Sequence, residues 1–304
     1  MHEHDVPGGD GTALRAWAHG AYGPPVLISP GLGTIPEAWP SLLDASARVR
    51  LHSWYHRGTF GSGRPDDPAR IGLDDHVADG ITVLDDAGVD RCVVAGWSVG
   101  VTVAVQLALQ HPERVSGLLL VAGVPGAAFG SMGGVIGLPD GMRAPLARTV
   151  TQGLHAAGPV IDALMHRLPI TPVTVWPLRH SGFMLPAADP EHTATAVRRF
   201  ARHDWQWYFG LALAVSGRAP LDVTALRCPV TSLAGRYDLL TDAEHISHRM
   251  AGVPQARQRL LPTSHFLPLE APATVLDELR LLQHRADAVD ASVDPFTRDS
   301  RPSA

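Results

Sequence analysis

Val94-Ala95-Gly96-Trp97-Ser98-Val99-Gly100-Val101 (VAGWSVGV) joins an apolar run that reads as a strand to one that reads as a helix. Glycines flank the serine at two residues on either side, a G-x-S-x-G pattern that has a mechanical role at such a junction. A sharp turn there forces the serine into an unfavourable backbone conformation, and the glycines remove the clashes around it. The hydroxyl then stands clear of the sheet edge at a helix N-terminus, where amide N–H groups and the helix dipole favour negative charge. In a chain with 30 glycines among 304 residues the pattern also arises by accident. Its reading as a nucleophile depends on finding a base and an orienting acid elsewhere.

Outward from this junction the chain alternates. Asp10-Gly11 separates HEHDVPG from TALRAWAHG, as in an opening hairpin. PPVLISPG and RLHSWYHRG read as strands, and Val77, Ile81 and Leu84 fall at helical spacing in a segment that closes at Gly88. RCVVAG is a strand, VTVAVQLALQHP a helix and VSGLLLVAG a further strand. Continuous apolar strands separated by helices predict an α/β fold with a mostly parallel central sheet covered on both faces. From about Gly126 the rhythm changes. Leu146, Val150 and Leu154, then Ile161, Leu164 and Leu168, recur at three or four positions, followed by the aromatic stretch HDWQWYFG. This predicts a mostly helical insertion over 126–218 within a core made of 1–125 and 219–289. The alternation resumes with CPVTSLAG, a helix from Asp242 to Met250, ARQRLLP and PATVLDELRLLQHRA. Residues 290–304 are polar and aperiodic, and read as a disordered tail.

A serine hydroxyl needs a base to take its proton. His265 in LPTSHFLPLEAP follows the last strand-like run, so it is expected at the same sheet edge as Ser98. Asp238 in LAGRYDLLTD lies just beyond the preceding strand, where a carboxylate would fix the histidine tautomer and stabilise its cation. Asp242 is the rival for that role, although its position suits the N-cap of the next helix better.

In the order Ser98, Asp238, His265 the chain resembles the α/β-hydrolase superfamily over about residues 5 to 289. GWSVG is similar to that family's nucleophile elbow and GRYDLLT to its acid loop. SHFLPLEAP is similar to its histidine segment, from His265 through Glu270 to Pro272. YHRGTFGSGRP matches its loop after the third core strand at Arg57 and Gly58. The resemblance implies an α/β-hydrolase fold with a helical cap at 126–218. It also implies an oxyanion hole built from the backbone N–H groups of Leu32 and Val99. Two departures stand out: Pro30-Gly31 replaces the usual histidine–glycine pair, and Tyr55 stands where many relatives carry aspartate. Arg57 is expected to form a buried structural ion pair.

The remaining composition narrows the partners. A formal charge of −5, without a basic cluster, predicts no nucleic-acid partner. No apolar run approaches the roughly 20 residues of a membrane span. The start, MHEHDVPGGDG, has no apolar leader core, so a cytoplasmic location is expected. Cys92 and Cys228 each open an apolar strand and are expected as buried thiols. His2 and His4, and His245 and His248, lack further ligands nearby, so no metal is expected. The assigned groups call for no cofactor, and the sequence specifies no oligomeric state.

The implied reaction is hydrolysis of a small or medium apolar ester or lactone through an acyl-enzyme. Trp97, Leu239, Phe266 and Trp205 are expected to line the substrate site, although core packing explains each of them equally well. At helical spacing, at least one of Trp205, Trp207 and Tyr208 faces the core while another roofs the site. Other chemistries on such a fold remain open: a thioesterase or acyltransferase, a carbon–carbon bond hydrolase, or a hydrolase-like protein that only binds a ligand. Ser98 argues against epoxide hydrolases and haloalkane dehalogenases, which the resemblance associates with aspartate at the elbow.

Overall fold

The computed structural model describes residues 1–134, 136–217 and 219–293. Eight strands form one sheet: β1 (His2–Pro7), β2 (Ala13–His19), β3 (Pro25–Ser29), β4 (Arg50–Trp54), β5 (Cys92–Trp97), β6 (Val115–Val121), β7 (Val230–Gly235) and β8 (Ala256–Leu261). Their order is β1-β2-β4-β3-β5-β6-β7-β8. The β1–β2 hairpin is antiparallel, β2 pairs antiparallel with β4, and every later pairing is parallel.

The helices are α1 (Pro40–Leu43), α2 (Leu73–Asp86), α3 (Val99–Gln110), α4 (Ala128–Ser131), α5 (Asp140–Ala156), α6 (Gly158–Met165), α7 (Trp176–Arg179), α8 (Pro190–Phe200), α9 (Trp205–Ser216), α10 (Ala243–Met250), α11 (Leu267–Glu270) and α12 (Pro272–Val293). Successive strand residues point to opposite faces, and the core divides accordingly. Val94, Leu118 and Leu120 pack with Val101 and Leu107 of α3 and Ile246 of α10. Val93, Leu119 and Leu233 pack on the other face with Val275, Leu279 and Leu282 of α12. All residues of β5 and β7 are buried, which explains why neither strand carries a charged side chain. At the sheet edge, Arg257 and Arg259 of β8 pair with Glu278 of α12, a charged edge that resists pairing with another strand.

Leaving β3, the chain builds β4 on one side and then crosses to place β5 on the other. Such a switch opens a crevice beyond the C-terminal ends of the two strands, the usual ligand position in open α/β sheets. Ser98 follows β5 and Leu32 lies just after β3, so both stand at that crevice. Helices α4 to α9 all fall between β6 and β7.

Arg57 locks the loop after β4. Its guanidinium donates from Nε to Asp79 Oδ2 (2.9 Å) and from Nη2 to Asp79 Oδ1 (2.7 Å), and from Nη1 to Asp10 Oδ2 (2.5 Å) and the Arg70 carbonyl (2.9 Å). Both Arg57 and Asp79 are fully buried, so the ion pair expected from sequence is structural. Burial raises the Asp10 pKa, but hydrogen bonds from Thr12 and the Arg57 charge outweigh it and hold the carboxyl at about 2. Cys92 and Cys228 are buried free thiols, and desolvation raises them to about 12 and about 11.

One expectation needs correction. Residues 290–293, expected within the tail, instead continue α12, which runs to Val293; the seating of Leu279, Leu282 and Ala286 in the core anchors the helix up to this last turn. Residues 294–304 of that expected tail lie outside the described residues. No helix among the described residues is long and apolar enough to cross a membrane.

Because Asp79 alone meets the Arg57 fork with two bonds, Asp79→Asn should lower stability by about 3–5 kcal/mol. Urea unfolding at neutral pH measures this, and a shift under about 1 kcal/mol would show that Asp10 suffices.

Candidate active site

Ser98 adopts φ 57°, ψ −121°, between the end of β5 and the first residue of α3. Such a conformation costs a non-glycine residue about 1–3 kcal/mol and persists only where the surroundings enforce it. The enforcement is visible in the two flanking glycines. A Cβ on Gly96 would lie 2.5 Å from the Gly100 carbonyl oxygen, and one on Gly100 would lie 2.2 Å from the Ser29 carbonyl oxygen. Strand β5, helix α3 and the end of β3 therefore meet at backbone contact, which only glycine permits. The Ser98 N–H donates to the Val121 carbonyl (2.9 Å), and its own carbonyl accepts from Val101 (3.0 Å).

His265 Nε2 lies 2.9 Å from Ser98 Oγ, and His265 Nδ1 lies 2.8 Å from Asp238 Oδ2. A carboxylate can only accept, so Nδ1 carries the proton and Nε2 is left to accept from the serine hydroxyl. Asp238 is fully buried, and its other oxygen accepts the N–H groups of Leu240 and Thr241, each at 2.8 Å. The rival Asp242 is placed elsewhere. It caps α10 by accepting from the Glu244 N–H (3.0 Å) and pairs with Arg143 (3.1 Å).

The histidine segment is braced from two sides. The Trp97 indole N–H donates to the His265 carbonyl (3.0 Å), tying the residue before Ser98 to the residue that faces it. The Glu270 carboxylate accepts from the Ser264 N–H (2.7 Å) and Oγ (2.6 Å), and also from the Leu185 N–H of the helical insertion (2.8 Å). These bracing roles were not anticipated from sequence. Glu270 was visible only as part of a motif, and nothing in a sequence reports what an indole N–H faces.

Leu32 and Val99 border the same cavity as Ser98 and His265. Val99 opens α3, so its N–H has no partner within the helix. Leu32 sits in a turn where the Gly31 carbonyl accepts both the N–H (3.0 Å) and the Oγ1 hydroxyl (2.9 Å) of Thr34. Thr34 thus braces the Pro30-Gly31 loop.

The cavity has a volume of about 960 Å³. Trp97, Phe266 and Trp205 line it, as does Tyr208, whereas Trp207 turns to the loop after β4, where it is half-buried under Arg64 and donates its indole N–H to the Arg57 carbonyl (2.7 Å). Leu239, expected at the site, is absent from the lining and is 37% exposed; Leu240 and Thr241 line it instead. The reason is the turn held by Asp238: by accepting from both following N–H groups, it wraps the chain so that Leu240 takes the inward position. Leu146, Val150 and Leu154 of α5 also line the cavity. Their periodicity was evident in the sequence, but not the surface they face. Arg143 is the one lining side chain with a permanent charge among the described residues, and Asp140 (3.0 Å) and Asp242 (3.1 Å) neutralise it. Burial raises the Tyr208 phenol above its ordinary value, so that wall stays neutral.

A family model described as alpha/beta hydrolase fold matches residues 24–150. A putative carbamate hydrolase RutD of Azorhizobium caulinodans is 39% identical over 117 residues, covering 38% of this chain and 43% of the relative. The chain thus spans less than half the length of that curated relative. Over nearly the full length, the structure is similar to a thermophilic esterase from Thermogutta terrifontis (TM-score 0.68, 17% identity, 94% of this chain and 99% of that one). It is equally similar to the enol-lactonase from Burkholderia xenovorans LB400 (TM-score 0.68, 19% identity, 92% and 100%). At such identities the likeness concerns the fold.

Trp97→Phe keeps most of the packing and removes the donor to the His265 carbonyl. It should slow labelling of Ser98 by a fluorophosphonate about tenfold or more, since small misplacements of a reacting group are costly. An unchanged labelling rate would reduce the indole N–H to packing.

Proposed function

We propose that this chain, which has the α/β-hydrolase fold, is a serine hydrolase that cleaves apolar carboxylic esters or lactones through an acyl-enzyme. The observation that carries the proposal is the continuous relay from Ser98 Oγ through His265 to the buried Asp238, with spacings of 2.9 and 2.8 Å. In this reading Ser98 Oγ attacks the carbonyl carbon while His265 Nε2 takes its proton. The tetrahedral oxyanion is held by the Leu32 and Val99 amides, a contribution worth about 3–4 kcal/mol per donor in such sites. The intermediate collapses as His265 returns the proton to the leaving alkoxide. Water then enters and attacks the acyl carbon while His265 takes its proton; the second intermediate collapses as His265 returns that proton to Ser98 Oγ, releasing the carboxylic acid. Each step uses this chain's own side chains and amides, and the helical insertion acts as a cap over the reacting centre.

The bond class is chosen from the cavity. The names of the relatives point to a carbamate, an ester and an enol-lactone, all of which present a carbonyl to a nucleophile. The lining around Ser98 is mostly apolar and, among the described residues, has no unpaired permanent charge, which favours an ester or lactone over a small polar carbamate. A ligand-binding protein without turnover would have no use for a strained serine hydrogen-bonded to a buried histidine–aspartate pair. For the carbon–carbon hydrolases, the resemblance would place tryptophan where Phe266 stands.

Ser98→Ala should lower kcat for a p-nitrophenyl ester by at least about three orders of magnitude and abolish fluorophosphonate labelling. Asp238→Asn should cost about four orders by stabilising the wrong histidine tautomer, while Asp242→Asn should cost far less. A panel of esters, lactones, acyl thioesters and carbamates then ranks the bond class by kcat/KM. Ester turnover that survives Ser98→Ala would sink the mechanism, and a preference for carbamates or thioesters would sink the bond assignment.

A further inference from the structure

The cavity is larger than cleavage of a small ester requires, and its walls have a direction. On α5 the lining residues recur from Arg143 to Leu154, and on α9 from Trp205 to Ser216. Each series covers eleven helical steps, about 16 Å of helix axis. The two helices pack on each other, so they form one long wall. An extended chain advances about 1.2 Å per bond, so about a dozen carbons span that length. The volume of about 960 Å³ sits near the upper end of the range for small-molecule sites.

The chemistry of the wall is equally selective. Among the described residues beyond the reacting centre, its one permanently charged side chain, Arg143, is held between two aspartates, so it offers no free counter-charge to an anionic substrate. Leu146 and Val150 line the cavity and are 44% and 51% exposed, so their apolar surface is not covered by protein packing. That free apolar surface on α5 is available to a hydrocarbon chain laid along it.

We infer that the acyl group of the substrate is a long, unbranched, uncharged hydrocarbon chain of about eight to twelve carbons or more, lying along α5 and α9 with its carbonyl at Ser98. The inference rests on the serine-hydrolase reading. It revises the substrate size expected from sequence from small or medium to long. A short acyl group would touch only the residues near Ser98 and leave the α5–α9 wall uncovered. Each methylene laid on that wall contributes binding at the acyl end, up to about fourfold per carbon where burial is complete.

The test is kcat/KM for p-nitrophenyl acetate, butyrate, octanoate and dodecanoate, all below their aggregation limits, with the full chain. The value should rise at least about tenfold from acetate to octanoate and stay high at dodecanoate. Ala212→Trp, which fills the α9 side of the wall, should lower the dodecanoate-to-acetate ratio at least about tenfold. Alongside, ethyl and dodecyl fluorophosphonates report on Ser98 directly, and the dodecyl compound should label it faster. A flat or falling ester series with Ser98 labelled overturns the long-chain inference and leaves the serine hydrolase standing. Absence of both turnover and labelling overturns the serine-hydrolase reading, and the chain-length inference with it.

Discussion

The contact between the Gly100 position and the carbonyl of Ser29 is the constraint on which the rest of the site depends. A Cβ at Gly100 would lie 2.2 Å from that oxygen, and one at Gly96 would lie 2.5 Å from the Gly100 carbonyl. With these glycines, α3 drops directly onto the ends of β3 and β5, and Ser98 has no relaxed conformation available. Its φ of 57° is the geometric cost of that approach. The same closeness brings the Leu32 turn beside the start of α3, so the strained serine and the two candidate amides arise from one packing event. Strain at a functional position survives when its neighbours over-determine it, and here the neighbours are backbone.

A second set of contacts joins the helical insertion to the sheet. The Arg57 side chain is buried against Asp79 and Asp10, and its carbonyl accepts the Trp207 indole N–H. One residue therefore holds both the opening hairpin and α9. Gly58, next in sequence, has φ 74°, and a Cβ there would lie 2.3 Å from the Trp207 Nε1. Tyr55 donates to Glu3 (2.7 Å) and accepts from Arg199 of α8 (3.1 Å); Arg199 also donates to Glu37 (2.9 Å). Glu270 adds a third tie, between the histidine segment and Leu185. Movement of the insertion would thus be felt at His265 through a buried carboxylate.

Much of this was legible in the chain because it depends on local pattern. Unbroken apolar runs between helical segments specify a parallel sheet covered on both faces. Pairs of glycines around Ser98 specify a close backbone approach, and a polar residue just past a strand is delivered to one known edge. Those rules act over a few residues. They also placed Asp242 at a helix N-cap and Arg57 in a buried ion pair.

What the sequence could not report depends on groups far apart in the chain meeting in space. The choice of Leu240 over Leu239 goes with a turn in which Asp238 accepts from Leu240 and Thr241 with one oxygen while the other faces His265, 27 positions on. Trp97, read as a substrate contact, also donates to a backbone carbonyl 168 positions away. The Leu146, Val150 and Leu154 series announced a helix, but only its packing against α9 makes it the wall of a cavity of about 960 Å³. Periodicity determines that a face is apolar, whereas the arrangement of the insertion over the sheet decides whether that face meets the core, solvent or a substrate.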